Sequence, residues 1–203
     1  PQELIAEILK LAMRAPSSMN TQPYNFYVIT GEPLAKIRAG NTERMLAGVP
    51  QSREFRTGVA FDGVHRERQI GVAKQLFSAM GIERDDKPAR QDWVMRGFRQ
   101  FDAPVSIVLT YEKYLEPAAI SQFDLGALSH AIVLAAWEHG LGCVINGQGI
   151  MQSAVVRKHA GIPDDQNIMI CIAMGYPDYD CPANNVKSVR EDNENFVRYV
   201  GFD

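Results

Sequence analysis

Cysteine is scarce. The three thiols among 203 residues, Cys143, Cys171 and Cys181, are widely spaced with no Cys-x-x-Cys pair, which argues against a disulfide framework or a zinc site and leaves them reduced and structural. A block of lysine and arginine is missing too. A formal net charge of -3 does not suggest a nucleic-acid partner, and no basic block stands out that would track phosphates, so none is expected. The longest uninterrupted apolar stretch, around Ala131 to Ala136, falls far short of the roughly 20 residues of a membrane span, and the first residues lack a signal-peptide pattern. The expectation is therefore a cytoplasmic protein with no membrane partner. The four histidines, His65, His130, His139 and His159, show no His-Glu-x-x-His spacing, and no Gly-x-Ser-x-Gly elbow accompanies them. Hydrolase and metalloenzyme readings lose support, no metal is expected, and His130 reads as a satisfied core histidine.

What is present is a globular composition, 46% apolar and 22% charged, and residues 1–203 are expected to form a single domain. Leu4, Ile5, Ile8, Leu9, Leu11 and Ala12 recur at helical spacing, and Pro16 disfavours helical geometry at Ala15, so a first helix should end near Arg14. Tyr24–Thr30 is aromatic and β-branched and stops at Gly31, as a strand does; Pro33 then suits the first turn of a second helix. From about Asn41 to Gln100 the chain is at its most charged. Ile70, Ala73, Leu76, Phe77 and Met80 predict one helix ending at Gly81, followed by the polar connection IERDDKPARQD. This region reads as a solvated helical layer, with a cover over a site as the alternative. Arg53, Arg56, Arg66 and Arg68 read as a solvated face rather than as a seat for an NADPH phosphate.

Pro104–Tyr111 is short, β-branched and almost uncharged, the pattern of a buried strand, and a longer helix should run from about Ser121 to His139. That helix is apolar on nearly every face. It must be covered on more than one side, by a sheet and by something else, and a second copy of the chain is a simple candidate. Gly140 and Gly142 end it; CVIN resumes an extended path. A short helix with Val155 and Val156 inward closes at Gly161, and the strand IMICIAMGY ends at Pro177. In the polar tail, FVRYVGFD could add an edge strand or reach a partner.

Three stretches could carry chemistry. Pro16, Ser17, Ser18, Asn20 and Gln22 gather two hydroxyls, two amides and free backbone groups, which could read the edge of a planar heterocycle or simply make a capped turn. Asn146, Gly147, Gln148 and Gly149 follow a predicted strand, where two glycines let the backbone approach a ligand closely. The run is neither Gly-x-Gly-x-x-Gly nor a phosphate loop, so Rossmann and P-loop readings fail, and turn and site remain equal alternatives. Lys187 and Arg190 are close enough to clamp a phosphate or to be two solvated charges.

Taken together, APSSMNTQPYNFYVITGEP, EHGLGCVINGQGI, HAGIPDDQNIMICIAMGYPD and a basic residue near the C-terminus resemble the nitroreductase family of FMN-dependent oxidoreductases. The Pro-Ser-Ser-x-Asn-x-Gln-Pro-aromatic string is the most specific piece, and the others keep its order over most of the chain. The resemblance implies an α+β, three-layer fold with a central, mostly antiparallel sheet flanked by helices, in an intertwined homodimer with FMN at the subunit interface. By the same resemblance, Pro16, Ser17, Ser18 and Asn20 would contact the flavin bound mainly by the other subunit. Gln148 and Gly149 would direct N–H groups at the flavin N5 side, with Asn146 and Gly147 adjoining. Lys187 or Arg190 would hold the FMN phosphate. An Arg-Arg-Ser-type segment usually precedes the first helix in the family; the sequence given begins at Pro1, after its place. Tyr24 stands where tryptophan is common and keeps an aromatic platform.

The activity so implied is a ping-pong reaction in which NAD(P)H reduces FMN and a small planar electron-poor acceptor, such as a nitroaromatic or quinone, is reduced in turn. No side chain is named as catalytic, because water or the flavin ribityl could supply the proton. The alternatives are a same-fold flavoenzyme with another acceptor (dehalogenase, enone reductase or dehydrogenase) and a flavin-binding protein without turnover.

Overall fold

The computed structural model describes residues 1–55, 58 and 60–202. Contacts group the chain into two compact units, residues 1–57 with 91–177 and residues 58–90 with 178–203.

The first unit is built on a four-stranded sheet. Strands β1 (Asn25–Ile29), β2 (Val105–Glu112), β3 (Gly142–Asn146) and β4 (Gln166–Gly175) pair in the order β1-β2-β4-β3, with every pairing antiparallel. Side chains alternate across a strand, and the central β2 buries both faces. Ile107, Leu109 and Tyr111 face α1 (Gln2–Ala12) and α5 (Ala119–Glu138), in a cluster with Ile8, Ala12, Leu125, Leu128 and Ile132. Val108 faces the other way, toward α2 (Gly31–Leu46) and α6 (Ser153–Ala160), with Leu34, Ile37 and Val156. The unit is thus helices, sheet, helices: the α+β three-layer arrangement that the resemblance implied.

A register shift between Leu109 and Thr110 inserts an extra residue in β4. One inserted residue reverses the alternation. Ile172 and Ile168, an even number apart, consequently sit in opposite clusters.

Helix α5 runs within two residues of the expected 121–139 at each end. Its 20 residues are long and apolar enough to cross a membrane by length and composition, although no uninterrupted run within it is. Its inward side packs against the sheet and α1, while Phe123, Leu134 and Trp137 lie on the surface. His130 is exposed on the same outer stripe, so it is not a core histidine. The inward stripe is Leu125, Leu128, Ile132 and Ala136, and position 130 falls outside it.

In the second unit α3 spans Gly63–Ala79, starting well before the Ile70 that predicted it. Arg68 pairs with Glu191 at 3.0 Å and lies over the Phe196 ring. The connection IERDDKPARQD is only half a loop. Helix α4 (Lys87–Phe98) begins within it, with Asp86 Oδ1 accepting the Ala89 N–H at 3.0 Å and Pro88 in the first turn. These start signals lie in a segment whose charge hides its helical period. The tail forms a short helix α7 (Asn193–Phe196); no strand follows it among the described residues.

Packing of α2 on α6 gives a test of the fold. A Cβ at Gly40 would lie 2.7 Å from Val155 Cγ1, and a helical valine has essentially one rotamer to occupy. Gly40→Ala should cost about 1–3 kcal/mol in urea denaturation. Gly71→Ala on α3, where no atom lies within 4 Å, should instead gain about 0.5–1 kcal/mol.

Candidate functional site

The segment after α1 is a strained loop. Met19, Asn20 and Gln22 have φ of 48°, 58° and 47°, left-handed values that cost an L-residue roughly 1–2 kcal/mol each. Hydrogen bonds hold it. The Ser18 N–H donates to Asp124 Oδ2 at 3.0 Å, and the Gln22 N–H donates to Ser17 Oγ at 3.0 Å. Asp124 is buried on α5, so the loop is pinned to the long helix, while Pro16, Met19 and Asn20 stay exposed. Ser18, Gln22, Tyr114 and Ile120 line a hollow of about 420 Å³ beside the loop. Nearby Tyr24 has its hydroxyl buried without a partner; burial first, and Asp124 second, push its pKa up.

The loop after β3 is organised by Asn146. Its Oδ1 accepts the N–H of Gln148 at 2.9 Å and of Gly149 at 3.2 Å, and its Nδ2 donates to the Gly97 carbonyl at 2.7 Å. Both N–H groups that the resemblance directs at a flavin are therefore already engaged inside the loop. Gly149 has no room for a side chain, since a Cβ there would lie 2.6 Å from Cys171 Sγ. Burial pushes the Cys171 thiol up to about 12, so it stays protonated and donates to the Asn146 carbonyl at 3.0 Å. From the other side Asn41 Nδ2 donates to the Gly149 carbonyl at 2.9 Å. A Cβ at Gly97 would overlap Gln148 Oε1, so that glycine is what lets the Gln148 side chain lie against α4.

Gly147 is different. A Cβ there would meet only ordinary contacts, and the nearest are Arg53 Nη1 at 3.6 Å and Nη2 at 3.7 Å. The Arg53 guanidinium thus rests beside the loop; its Nε is buried without a partner, and burial lowers its pKa. No carboxylate lies within 4 Å of it among the described residues.

Lys187 and Arg190 belong to the second unit and are exposed. Arg190 Nη1 donates to Ser188 Oγ at 2.7 Å, and neither cation has a carboxylate partner among the described residues. No hydrogen bond joins the loop at 16–22 to the loop at 146–149 among the described residues.

Arg53 corrects the sequence reading: it is half-buried, with its Nε shut away from water, and so does not belong to a solvated face. Arg66 and Arg68, bonded to Gln69 and Glu191, do lie on such a face, and Arg56 falls outside the described residues. Sequence reasoning also missed Asn41, Asp124 and Gly97. A glycine inside a helical segment was the one available signal, for Gly97; a lone Asn or Asp on a helix gives none.

A model of the nitroreductase family matches residues 1–176. The chain is 34% identical over 201 residues to a nitrobenzene nitroreductase of Ectopseudomonas oleovorans, covering 98% of this chain and 87% of that protein. It is 27% identical over 207 residues to a 4-nitrobenzoate reductase of Pseudomonas putida, covering 100% and 88%. Among solved structures it is similar to the FMN and NADPH-dependent nitroreductase NfnB from Sphigopyxis sp. strain HMH, at 29% identity and a TM-score of 0.93, covering 100% of this chain and 91% of that one.

The buried bonds of Asn146 predict a stability effect. Asn146→Ala strands two N–H donors and one carbonyl, and should cost about 2–4 kcal/mol in urea denaturation. A loss below about 0.5 kcal/mol would show that the loop does not depend on this side chain.

Proposed function

Because the chain belongs to the nitroreductase family, we propose that it is an FMN-dependent oxidoreductase passing electrons from NAD(P)H to small planar acceptors such as nitroaromatics or quinones. The observation that carries this reading is the family match over residues 1–176. The loop itself fits the cofactor. Gly147 presents bare backbone with only ordinary contacts around it, which suits the close approach of a planar group.

Asn146, Gly147, Gln148 and Gly149 would lie along the N5 side of the ring. Since Asn146 Oδ1 already takes the Gln148 and Gly149 N–H groups, a ring there would share those donors, and Asn146 would fix their direction. Pro16, Ser17, Ser18 and Asn20 would edge a flavin bound mainly by the other copy. Their loop is held in a strained shape with its outer residues exposed, as a ligand or partner contact needs. By the resemblance, Lys187 or Arg190 would hold the phosphate. When bound, FMN supplies the redox chemistry, accepting hydride from NAD(P)H and passing electrons to the acceptor in turn. No side chain is assigned as a general acid.

A homodimer belongs to the same reading. Phe123, Leu134 and Trp137 on the outer side of α5, with Phe196, Tyr199 and Val200 in the tail, are exposed apolar residues that a second copy would cover. Residues 1–203 would act as one flavin-binding domain in each copy. A cytoplasmic place suits an enzyme that draws on NAD(P)H and keeps Cys143, Cys171 and Cys181 as free thiols.

The visible spectrum of the purified protein tests this. A flavin band is expected that bleaches on anaerobic NADPH addition and returns on adding nitrobenzene, from a species of twice the monomer mass. No band after incubation with excess FMN would overturn the cofactor assignment. A band that bleaches and returns with no acceptor of this class would overturn the acceptor.

A further inference from the structure

Arg53 is held by the chain on both sides. The Ser52 N–H donates to the Met151 carbonyl at 2.8 Å, and Ser153 Oγ donates to the Ser52 carbonyl. On the far side, Glu54 Oε2 accepts from Arg157 Nη2 and from the Ile168 N–H, each at 2.7 Å. Glu54 is thereby spent. The one acidic residue next to Arg53 in sequence faces another cation and a backbone donor, and Arg53 has no carboxylate partner among the described residues.

Two neighbouring anchors thus present a half-buried guanidinium to Gly147, and no anion meets it among the described residues. Holding a cation partly out of water without a partner is unfavourable, and an anion from outside would relieve that cost. A guanidinium fork matches the paired oxygens of a carboxylate, as it does those of a phosphate, with two parallel N–H donors.

We propose that Arg53 is a specificity residue that binds a carboxylate on the acceptor, so that the enzyme favours acidic nitroaromatics, of the nitrobenzoate kind, over neutral ones. The inference rests on the reading of the 146–149 loop as the N5 side of the flavin. Gly147 stands in that loop and Arg53 beside it. An acceptor must approach N5 to receive electrons, whereas the negative charge of a reduced flavin gathers at N1, on the opposite edge of the ring. A cation on the N5 side is therefore placed for the acceptor.

The test compares the wild-type holoenzyme with Arg53→Gln and Arg53→Lys. The ratio of kcat/KM for 4-nitrobenzoate to that for nitrobenzene should fall about 10- to 100-fold in Arg53→Gln, with the nitrobenzene value nearly unchanged. Arg53→Lys keeps the charge without the fork and should retain part of the preference. A second readout needs no turnover. Benzoate, titrated by calorimetry into the oxidised holoenzyme, should bind at least about 10-fold tighter than benzamide, and Arg53→Gln should abolish the difference. An unchanged ratio in Arg53→Gln, or equal affinity for benzoate and benzamide in the wild type, overturns the proposal. So does a variant that loses bound FMN and both activities together, since Arg53 would then serve the cofactor. A wild-type protein that never bleaches with NADPH overturns this proposal and the reading beneath it. One that bleaches without discriminating the two acceptors overturns this proposal alone.

Discussion

Asn146 uses its whole side chain inside the protein. Its oxygen takes two backbone N–H groups of the loop it begins, and its nitrogen reaches the carbonyl of Gly97 near the end of α4. Much of the surrounding sequence follows from that one arrangement. The loop must turn tightly enough to bring Gly149 onto Cys171, so residue 149 has no side chain. Gln148 then lies against α4, so residue 97 has none either. Asn41, on α2, closes the Gly149 carbonyl from the opposite side. A helix end and a strand end meet at one buried amide, and a helix from the chain's first quarter bonds the loop that this amide organises. Each of these bonds is worth more where water is excluded, and each would be costly to leave unmade.

The loop at 16–22 solves a different problem. Three left-handed residues within four, none of them glycine, are unfavourable, and the hydrogen bonds to Asp124 and Ser17 offset them. Asp124 sits on α5, whose inner stripe is the core and whose outer side carries exposed Phe123, Leu134 and Trp137. The same helix thus fixes the polar loop and presents an apolar surface. This links the shape of a candidate flavin contact to the face that a second copy would cover.

Strong periods made most of the first unit legible. The six apolar positions of α1, the aromatic and β-branched run of β1, the uncharged β2 and the capped α6 ending at Gly161 all follow from local preferences that agree with tertiary packing. The reading failed where charge masks period: α3 starts seven residues earlier than Ile70 and α4 starts inside a segment taken as loop. In such helices few positions are buried, so little hydrophobic pattern exists to be read. The loops at 16–22 and 146–149 were also legible, as clusters of small polar residues and glycines.

The sequence by itself determined the fold class, the family and the two loops, because periodicity and a short ordered motif are properties of neighbouring residues. Tertiary structure alone decided that the Gln148 and Gly149 N–H groups turn inward to Asn146, that Asn41 and Gly97 share that site, and that Arg53 is a half-buried cation without a carboxylate partner among the described residues rather than part of a charged face. The physical reason is range. A helix or turn is set by contacts a few residues apart, whereas the charge environment of Arg53 is set by Glu54 pairing with Arg157, Ser52 bonding Met151, and Gly147 folding back beside it. Those partners lie about a hundred residues away along the chain.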